Sequence, residues 1–274
     1  DVDNGFTSAQ MAVVKDGRLV YSNAWGTVNA YNPDGTPKTD SAPVTTDTLY
    51  DLASNTKMYA TNYAVQYLVQ QKKMALTDPI TKYFPNFASD TIEIRYAVSQ
   101  GTGAPDMETA RAWKAQLTVA DILQHQAGFA PDPQFHNNQF NQATQKPEPG
   151  TDNVLYAIGK DNVAAAICKA PLVYEPGTKT VYSDVDYMLL GLIVEQVTGK
   201  DLDTFLKETF YTPLGLSRIT YNPLDHGFTA SEIAATELNG NSRDGAIDFD
   251  GIREGTIQGT VHDEKAYYAM GGVS

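Results

Sequence analysis

Cysteine, positive charge and long apolar runs are all scarce in this sequence. A single cysteine, Cys168, stands among 274 residues, so no disulfide can form within the chain and a disulfide-stapled scaffold is excluded. Only 20 basic residues oppose 33 acidic ones, for a formal net charge of −13, and a surface of this sign repels the phosphates of nucleic acid. No apolar segment approaches the ~20 residues that cross a bilayer. The sequence therefore predicts a globular protein without a nucleic-acid partner.

Several catalytic motifs are missing as well. A Gly-x-Ser-x-Gly elbow does not occur, which removes support for a nucleophile of the α/β-hydrolase type. The ligand pairs His-Glu-x-x-His and Cys-x-x-Cys are also absent, and the four histidines are scattered, so we predict no metal site. A Ser-His-Asp triad stays open, because its members need not be close in sequence. Cys168 lies in an apolar stretch and is expected to be a small buried residue rather than a catalytic thiol.

What is present is the pattern of a short sheet followed by many helices. Residues 9–14 and 18–21 are strand-like, and Lys15–Gly17 between them has the chemistry of a hairpin turn. The spacing of apolar residues further along the chain predicts helices over 54–73, 118–128, 184–199 and 201–211.

Two of the later stretches carry more specific local signals. Thr118 and Asp121 fit a capping box at the start of a helix, and Gly128 fits its end. Residues 131–153 are rich in Asn, Gln and Pro and predict a long surface excursion. We divide the chain into a sheet part over 1–50 and a mainly helical part over 51–274.

The run Ser54-Asn-Thr-Lys57 is the first candidate for catalysis. On a helix, residues three apart share a face, and a lysine can take the serine proton if burial and nearby positive charge lower its pKa. The helix start adds N–H groups and partial positive charge, which suit an oxyanion. Chance alone gives roughly 0.6 Ser-x-x-Lys pairs at this composition, and this is the only one in the sequence. The alternative is an N-cap serine beside a solvated lysine.

The run Tyr182-Ser-Asp184 is the second candidate, because it directly precedes a predicted helix that would hold it rigidly. A tyrosine near an ammonium group has its phenolate favoured, and it could pass a proton to a leaving group. The alternative is that Ser183 or Asp184 caps the helix and that Tyr182 only packs.

Together these motifs resemble the serine β-lactamase and penicillin-binding superfamily, in the branch that holds class C β-lactamases, D,D-peptidases and related esterases. The resemblance covers essentially the whole chain. It is carried, in matching order and spacing, by Ser54-Asn-Thr-Lys57, Leu123-Gln-His125-Gln-Ala-Gly128-Phe129, Glu175-Pro-Gly177, Tyr182-Ser-Asp184, Ile233-Ala-Ala-Thr-Glu237 and the segment 259–274. It implies the α/β (α+β) fold of the serine β-lactamases and D,D-peptidases.

The resemblance also implies roles for individual residues. Ser54 would be the acylated nucleophile, Lys57 its base partner and Tyr182 the proton relay. We place Asp184 and His125 on the substrate-binding side of the site. Asp184 stands where many relatives have asparagine, and a carboxylate near Lys57 would favour the ammonium form and oppose a neutral lysine base. No cofactor is implied, because this chemistry needs only side chains and backbone donors.

Part of the family fold is expected to lie outside this sequence. The family's third motif, a Lys- or His-initiated triad with Thr or Ser and Gly, does not occur and is expected after residue 274. We therefore expect residues 1–274 to hold an incomplete catalytic domain, with the N-terminal hairpin and the large helical subdomain but without the C-terminal strands and helix. The abrupt start at Asp1 leaves room for a signal or a membrane anchor upstream.

The leading functional prediction is a serine D,D-carboxypeptidase. Such an enzyme would cleave terminal D-alanine from peptidoglycan stem peptides through a Ser54 acyl-enzyme and would bind β-lactams. This substrate class predicts a periplasmic protein, tethered to the inner membrane if an anchor precedes the chain. An esterase or weak β-lactamase on the same fold is one alternative, and a catalytically silent peptidoglycan-binding module is another. The oligomeric state stays open.

Overall fold

The computed structural model describes residues 2, 5–97, 105–243 and 245–272. The chain divides into two compact units, and each of them is built from two stretches of sequence. The first unit takes Asp1–Ala53 and Tyr211–Asp263, and the second takes Ser54–Phe210 and Glu264–Ser274. The division into a sheet part over 1–50 and a helical part over 51–274 stays a prediction.

The predicted hairpin is present in the first unit. Strand β1, Ser8–Lys15, pairs antiparallel with β2, Arg18–Gly26. Asp16 and Gly17 connect them with φ values of 50° and 73°, the left-handed conformation that a tight hairpin turn with this dipeptide requires. The Asp-Gly signal in the sequence therefore located the turn correctly.

Helices dominate the second unit, and all four predicted helical segments are found with shorter bounds. The α-helices are α1 (Asn62–Gln70), α2 (Met107–Gln116), α3 (Val119–Leu123), α4 (Lys160–Lys169), α5 (Asp184–Thr198) and α6 (Leu202–Leu206). Single π-helical turns span Lys57–Thr61, Lys207–Tyr211 and Lys265–Ala269. Two strands of two residues each, β3 (Phe140–Asn141) and β4 (Lys146–Pro147), pair antiparallel. Within the described residues, no helix has both the length and the apolar character that crossing a membrane requires.

Helix α5 is the centre of this unit. It contacts α1, α3, α4 and α6, and every residue from Val185 to Val194 is buried. The sequence predicted an amphipathic helix with one buried face, whereas most of α5 is buried on all sides, as expected for a helix surrounded by others. Gly199 ends it in the left-handed conformation (φ 67°). The start of α5 is consequently held by a rigid body.

Helix α3 starts as predicted and ends earlier than predicted. Thr118 and Asp121 form a reciprocal capping box, but the helix ends at Leu123. Gly128 therefore does not terminate it. Gly128 has φ 98°, and a Cβ there would lie 2.3 Å from the carbonyl oxygen of Tyr174, so the glycine is required by a close approach of two backbone segments.

The expectation of a surface excursion over residues 131–153 is wrong for much of that stretch. Asn137, Gln142 and Asn153 are buried. The Asn153 side-chain amide donates to the carbonyl oxygens of Gln134 (3.2 Å) and Asn137 (2.8 Å). Side-chain amides thus satisfy backbone groups that a loop with little regular structure leaves without partners. Polar composition here reflects buried hydrogen bonding rather than exposure.

Lys114 on α2 is fully buried. Its Nζ donates to the carbonyl oxygens of Ile167 (3.2 Å), Cys168 (2.6 Å) and Ala170 (3.0 Å) at the C-terminal end of α4. Carbonyl groups at the C-terminal end of a helix have no partner within it, and the Lys114 amine supplies one. Burial lowers the pKa of Lys114 to about 7. Cys168 is buried, as predicted. Lys114 thereby ties α2 to the end of α4.

Replacement of this lysine should destabilise the second unit. Lys114→Met keeps the aliphatic stem and removes the donors, which leaves three buried carbonyl oxygens unsatisfied and should lower the free energy of unfolding by about 3 kcal/mol. Urea unfolding followed by circular dichroism measures the change. Lys169→Met, at the exposed last residue of α4, is the control. It should change the free energy of unfolding by less than about 0.5 kcal/mol. Equal effects of the two variants would contradict the capping role of Lys114.

Candidate active site

Ser54 is exposed and lies at the N-terminal end of the first helix of the second unit. The π-helical turn Lys57–Thr61 leads without interruption into α1, and the Ser54 carbonyl accepts a hydrogen bond from the Lys57 N–H (3.1 Å). A helix start carries partial positive charge, and single π-helical turns are frequent at functional sites. The serine therefore stands where a developing negative charge would be stabilised.

Two donors converge on the Ser54 hydroxyl. Lys57 Nζ lies 3.2 Å from Ser54 Oγ, and the Tyr182 hydroxyl lies 2.8 Å from the same atom. The Lys57 ammonium also sits 5.0 Å from the centre of the Tyr182 ring. The structure thus brings Tyr182 of the second motif to Ser54 and Lys57 of the first, although the two motifs are far apart in sequence. A nucleophile that contacts two groups able to exchange a proton is the arrangement that acyl transfer needs.

Asp184 is the first residue of α5, and it contacts the lysine of this group. Its Oδ1 lies 2.9 Å from Lys57 Nζ. Burial pulls the pKa of Lys57 down, but the Asp184 carboxylate and the Tyr182 hydroxyl outweigh burial and leave that pKa above its ordinary value. Burial raises the pKa of Asp184, but Lys265 and Lys57 outweigh burial and hold it below its ordinary value. The resting site therefore holds an ammonium and a carboxylate.

His125 contacts Tyr182 and Asp186. Its ring centroid lies 4.6 Å from that of Tyr182 and 5.2 Å from that of Tyr187. A hydrogen bond of 2.8 Å joins His125 Nδ1 to Asp186 Oδ2. Through these contacts His125 supports the aromatic ring of Tyr182. Its assignment to substrate binding stays a prediction, and so does that of Asp184.

Sequence reasoning missed three charged residues near the site. Asp186 lies on the first turn of α5 with its side chain 1% exposed. Lys265 Nζ lies 3.3 Å from Asp184 Oδ2 and 3.1 Å from Asp132 Oδ1. Asp186 could have been noticed two positions after Asp184 at a helix start. Lys265 and Asp132 carry no local signal, because only the fold brings them to Asp184.

The chain matches the family described as Beta-lactamase over residues 2–273. It therefore belongs to the beta-lactamase family, which confirms the family and the hydrolase class that the motifs predicted. It is 45% identical to a protein named "Putative D-alanyl-D-alanine carboxypeptidase" from Escherichia coli (strain K12), over all of this chain and 56% of that protein. A protein of the same name from Salmonella schwarzengrund (strain CVM19633) is 43% identical, over 57% of its length. The chain spans about half the length of the curated relatives it matches.

Solved structures share the fold. The octameric penicillin-binding protein homologue from Pyrococcus abyssi matches with a TM-score of 0.59 and 21% identity, over 94% of this chain and 48% of that one. The D-amino acid amidase from Ochrobactrum anthropi SV3 matches with a TM-score of 0.57 and 21% identity, over 92% of this chain and 58% of that one. The predicted fold class, that of the serine β-lactamases and penicillin-binding proteins, is confirmed.

The buried carboxyl of Asp186 should make stability depend on pH. Burial, only partly offset by His125, raises the pKa of Asp186 to about 6, and its Oδ1 has no hydrogen-bond partner among the described residues. The folded state favours the neutral Asp186 carboxyl. The contribution of this group to the free energy of unfolding is therefore fully present below pH 3.8 and is lost as the pH rises through about 6. Asp186→Asn removes the buried charge.

The free energy of unfolding of Asp186→Asn, relative to that of the wild type, should therefore be higher at pH 8 than at pH 5, by on the order of 2 kcal/mol. Urea unfolding at both pH values measures this gain. Asp203→Asn, at a residue of the short helix α6 that is only half-buried, serves as the control. A difference from the wild type that is the same at both pH values would contradict the assignment to Asp186.

Proposed function

We propose that this chain carries the catalytic machinery of a serine hydrolase in which Ser54 is the nucleophile. The observation that carries the proposal is the convergence of Lys57 Nζ (3.2 Å) and the Tyr182 hydroxyl (2.8 Å) on Ser54 Oγ. A hydroxyl becomes a nucleophile only when its proton has an acceptor. The membership of the chain in the beta-lactamase family supports the same assignment.

The acceptor is the pair formed by Lys57 and Tyr182. At rest both members of the pair are protonated, because Lys57 is an ammonium and the Tyr182 hydroxyl donates to Ser54. In this form the pair cannot accept the serine proton. The reactive form has lost one proton, which leaves either a neutral lysine or a tyrosinate. The two forms are tautomers with the same net charge, so a pH–rate profile reports one pKa for the pair.

The reaction then has two steps. Ser54 Oγ bonds to the substrate carbonyl carbon, its proton passes to the Lys57–Tyr182 pair, and the carbon–nitrogen bond breaks as Tyr182 returns the proton to the leaving amine. Water next adds to the acyl carbon, gives up a proton to the same pair, and the ester breaks as the proton returns to Ser54. The helix start at Ser54 stabilises the oxyanion of both steps.

We further propose that the substrate is a peptide that ends in D-alanyl-D-alanine. The names of relatives that are 43% and 45% identical support this substrate, and β-lactams would acylate the same serine. Peptidoglycan stem peptides would then be the natural partner, and the periplasm the compartment. These assignments stay proposals, because the chain spans 56% of the length of the relative from Escherichia coli.

Esterase activity is the second candidate, and the charges near Ser54 favour it. Both lysines of the described site, Lys57 and Lys265, contact the Asp184 carboxylate. Their charge is therefore largely neutralised within the site, whereas a carboxypeptidase must bind a substrate carboxylate. An uncharged ester has no carboxylate and can bind without a free positive charge in the site.

Removal of the nucleophile tests the proposed function. In the intact protein, Ser54→Ala should abolish covalent labelling by a fluorescent penicillin and lower the release of D-alanine from a D-Ala-D-Ala peptide by at least about 10³-fold. Ser231→Ala, at an exposed serine of the first unit, should leave both unchanged. Labelling that survives in Ser54→Ala would refute Ser54 as nucleophile. Ester hydrolysis without D-alanine release would select the esterase, and peptide binding without an adduct would select a silent binding module.

The protonation of Lys57 predicts an alkaline rise in activity. Because the pKa of Lys57 is raised, the reactive form is scarce at neutral pH and accumulates as the pH increases. Asp184→Asn removes the main stabiliser of the ammonium, so the rising limb of the acylation profile should move to lower pH by about 1 unit. Stopped-flow acylation by a chromogenic cephalosporin between pH 5 and pH 10 measures the limb. An unchanged limb would contradict the control of Lys57 by Asp184.

A further inference from the structure

Asp184 divides its carboxylate between two lysines. Oδ1 lies 2.9 Å from Lys57 Nζ and Oδ2 lies 3.3 Å from Lys265 Nζ. Lys265 belongs to the π-helical turn Lys265–Ala269 and its side chain is 9% exposed. Its Nζ also lies 3.1 Å from Asp132 Oδ1. Positive and negative groups therefore alternate along a chain of four, from Lys57 through Asp184 and Lys265 to Asp132.

Other titratable groups near this chain of four come from the start of α5 and from the segment that follows α3. Tyr182 precedes α5, whereas Asp186 and Tyr187 lie on its first turn, and each of them interacts with Lys57. His125, which follows α3, pairs with Asp186. In the described contacts, His125 therefore reaches Lys57 only through Asp186, Tyr182 and Tyr187. Lys265 is the second positive charge on Asp184.

We propose that Lys265 is a positioning residue for the reaction: it shares the Asp184 carboxylate with Lys57 and thereby makes Lys57 easier to deprotonate. The inference rests on the proposed function, since Lys57 must lose a proton before Ser54 reacts. Lys265 acts through Asp184 and does not itself touch Ser54 in the described contacts.

Electrostatics sets the direction of the effect. A carboxylate that is neutralised by two ammonium groups attracts each of them less than it would attract one alone. Lys265 also repels Lys57 directly, because the two like charges flank the same carboxylate. Both effects favour loss of the Lys57 proton. Asp184 alone would hold Lys57 in its charged form, and the positive charge of Lys265 on the same carboxylate weakens this effect.

The test compares acylation profiles of the intact protein by a chromogenic cephalosporin between pH 6 and pH 12, a range that extends beyond the ordinary pKa of a lysine and so takes in the upper part of the rising limb. Lys265→Met should move the rising limb to higher pH by about 1 unit, so that acylation near neutral pH falls about tenfold and recovers at high pH. Lys265→Arg keeps the charge and should restore the wild-type limb. Lys160→Met is the matched control, since Lys160 also pairs with two carboxylates, Glu195 (2.8 Å) and Asp201 (3.0 Å), and it should leave the limb in place.

A double variant shows whether Lys265 acts through Asp184. In an Asp184→Asn background, Lys265→Met should move the limb by less than half as much as it does in the wild type, because the shared carboxylate is gone. A uniform loss of acylation at every pH, with no movement of the limb, would overturn the inference and leave Lys265 a structural residue. A wild-type protein that is not acylated at Ser54 would instead overturn the proposed function, so the two failures are distinguishable.

Discussion

The ion pair between Lys57 and Asp184 is the interaction on which the rest of the site depends. It joins the helix that follows Ser54 to the start of α5, and its length of 2.9 Å leaves little freedom to either side chain. Tyr182, two residues before Asp184, then reaches the Ser54 hydroxyl at 2.8 Å. The same pair fixes geometry and charge, since the contact that aligns Lys57 also keeps it protonated.

The burial of α5 makes this arrangement rigid. Val185 to Val194 are enclosed by four other helices, so the first turn of α5 cannot move without opening the core. Polar groups placed on such a turn are held firmly but lose solvent, and Asp186 shows the consequence in its raised pKa. The site thus accepts a destabilising buried carboxyl next to the residues that would perform the chemistry.

The features that could be predicted from sequence depend on near neighbours in the chain. The Asp16–Gly17 turn, the capping box of Thr118 and Asp121, and the long helix after Tyr182 each follow from local backbone preferences. The burial of residues 131–153 could not be predicted, because their amide side chains are satisfied by distant parts of the same loop. The role of Lys114 could not be predicted for the same reason, since its three acceptors lie at and just after the end of another helix.

The candidate site shows the same division. The sequence by itself determined which residues are chemically able to act, because a serine and a lysine three residues apart on a helix must share a face, and it also determined the family through the order of the motifs. Only the tertiary structure decided the charge on Lys57, because that charge depends on the contact of Lys57 with Asp184. Coulomb interactions fall with distance in space, and no spacing along the chain encodes the 3.3 Å between Asp184 and Lys265.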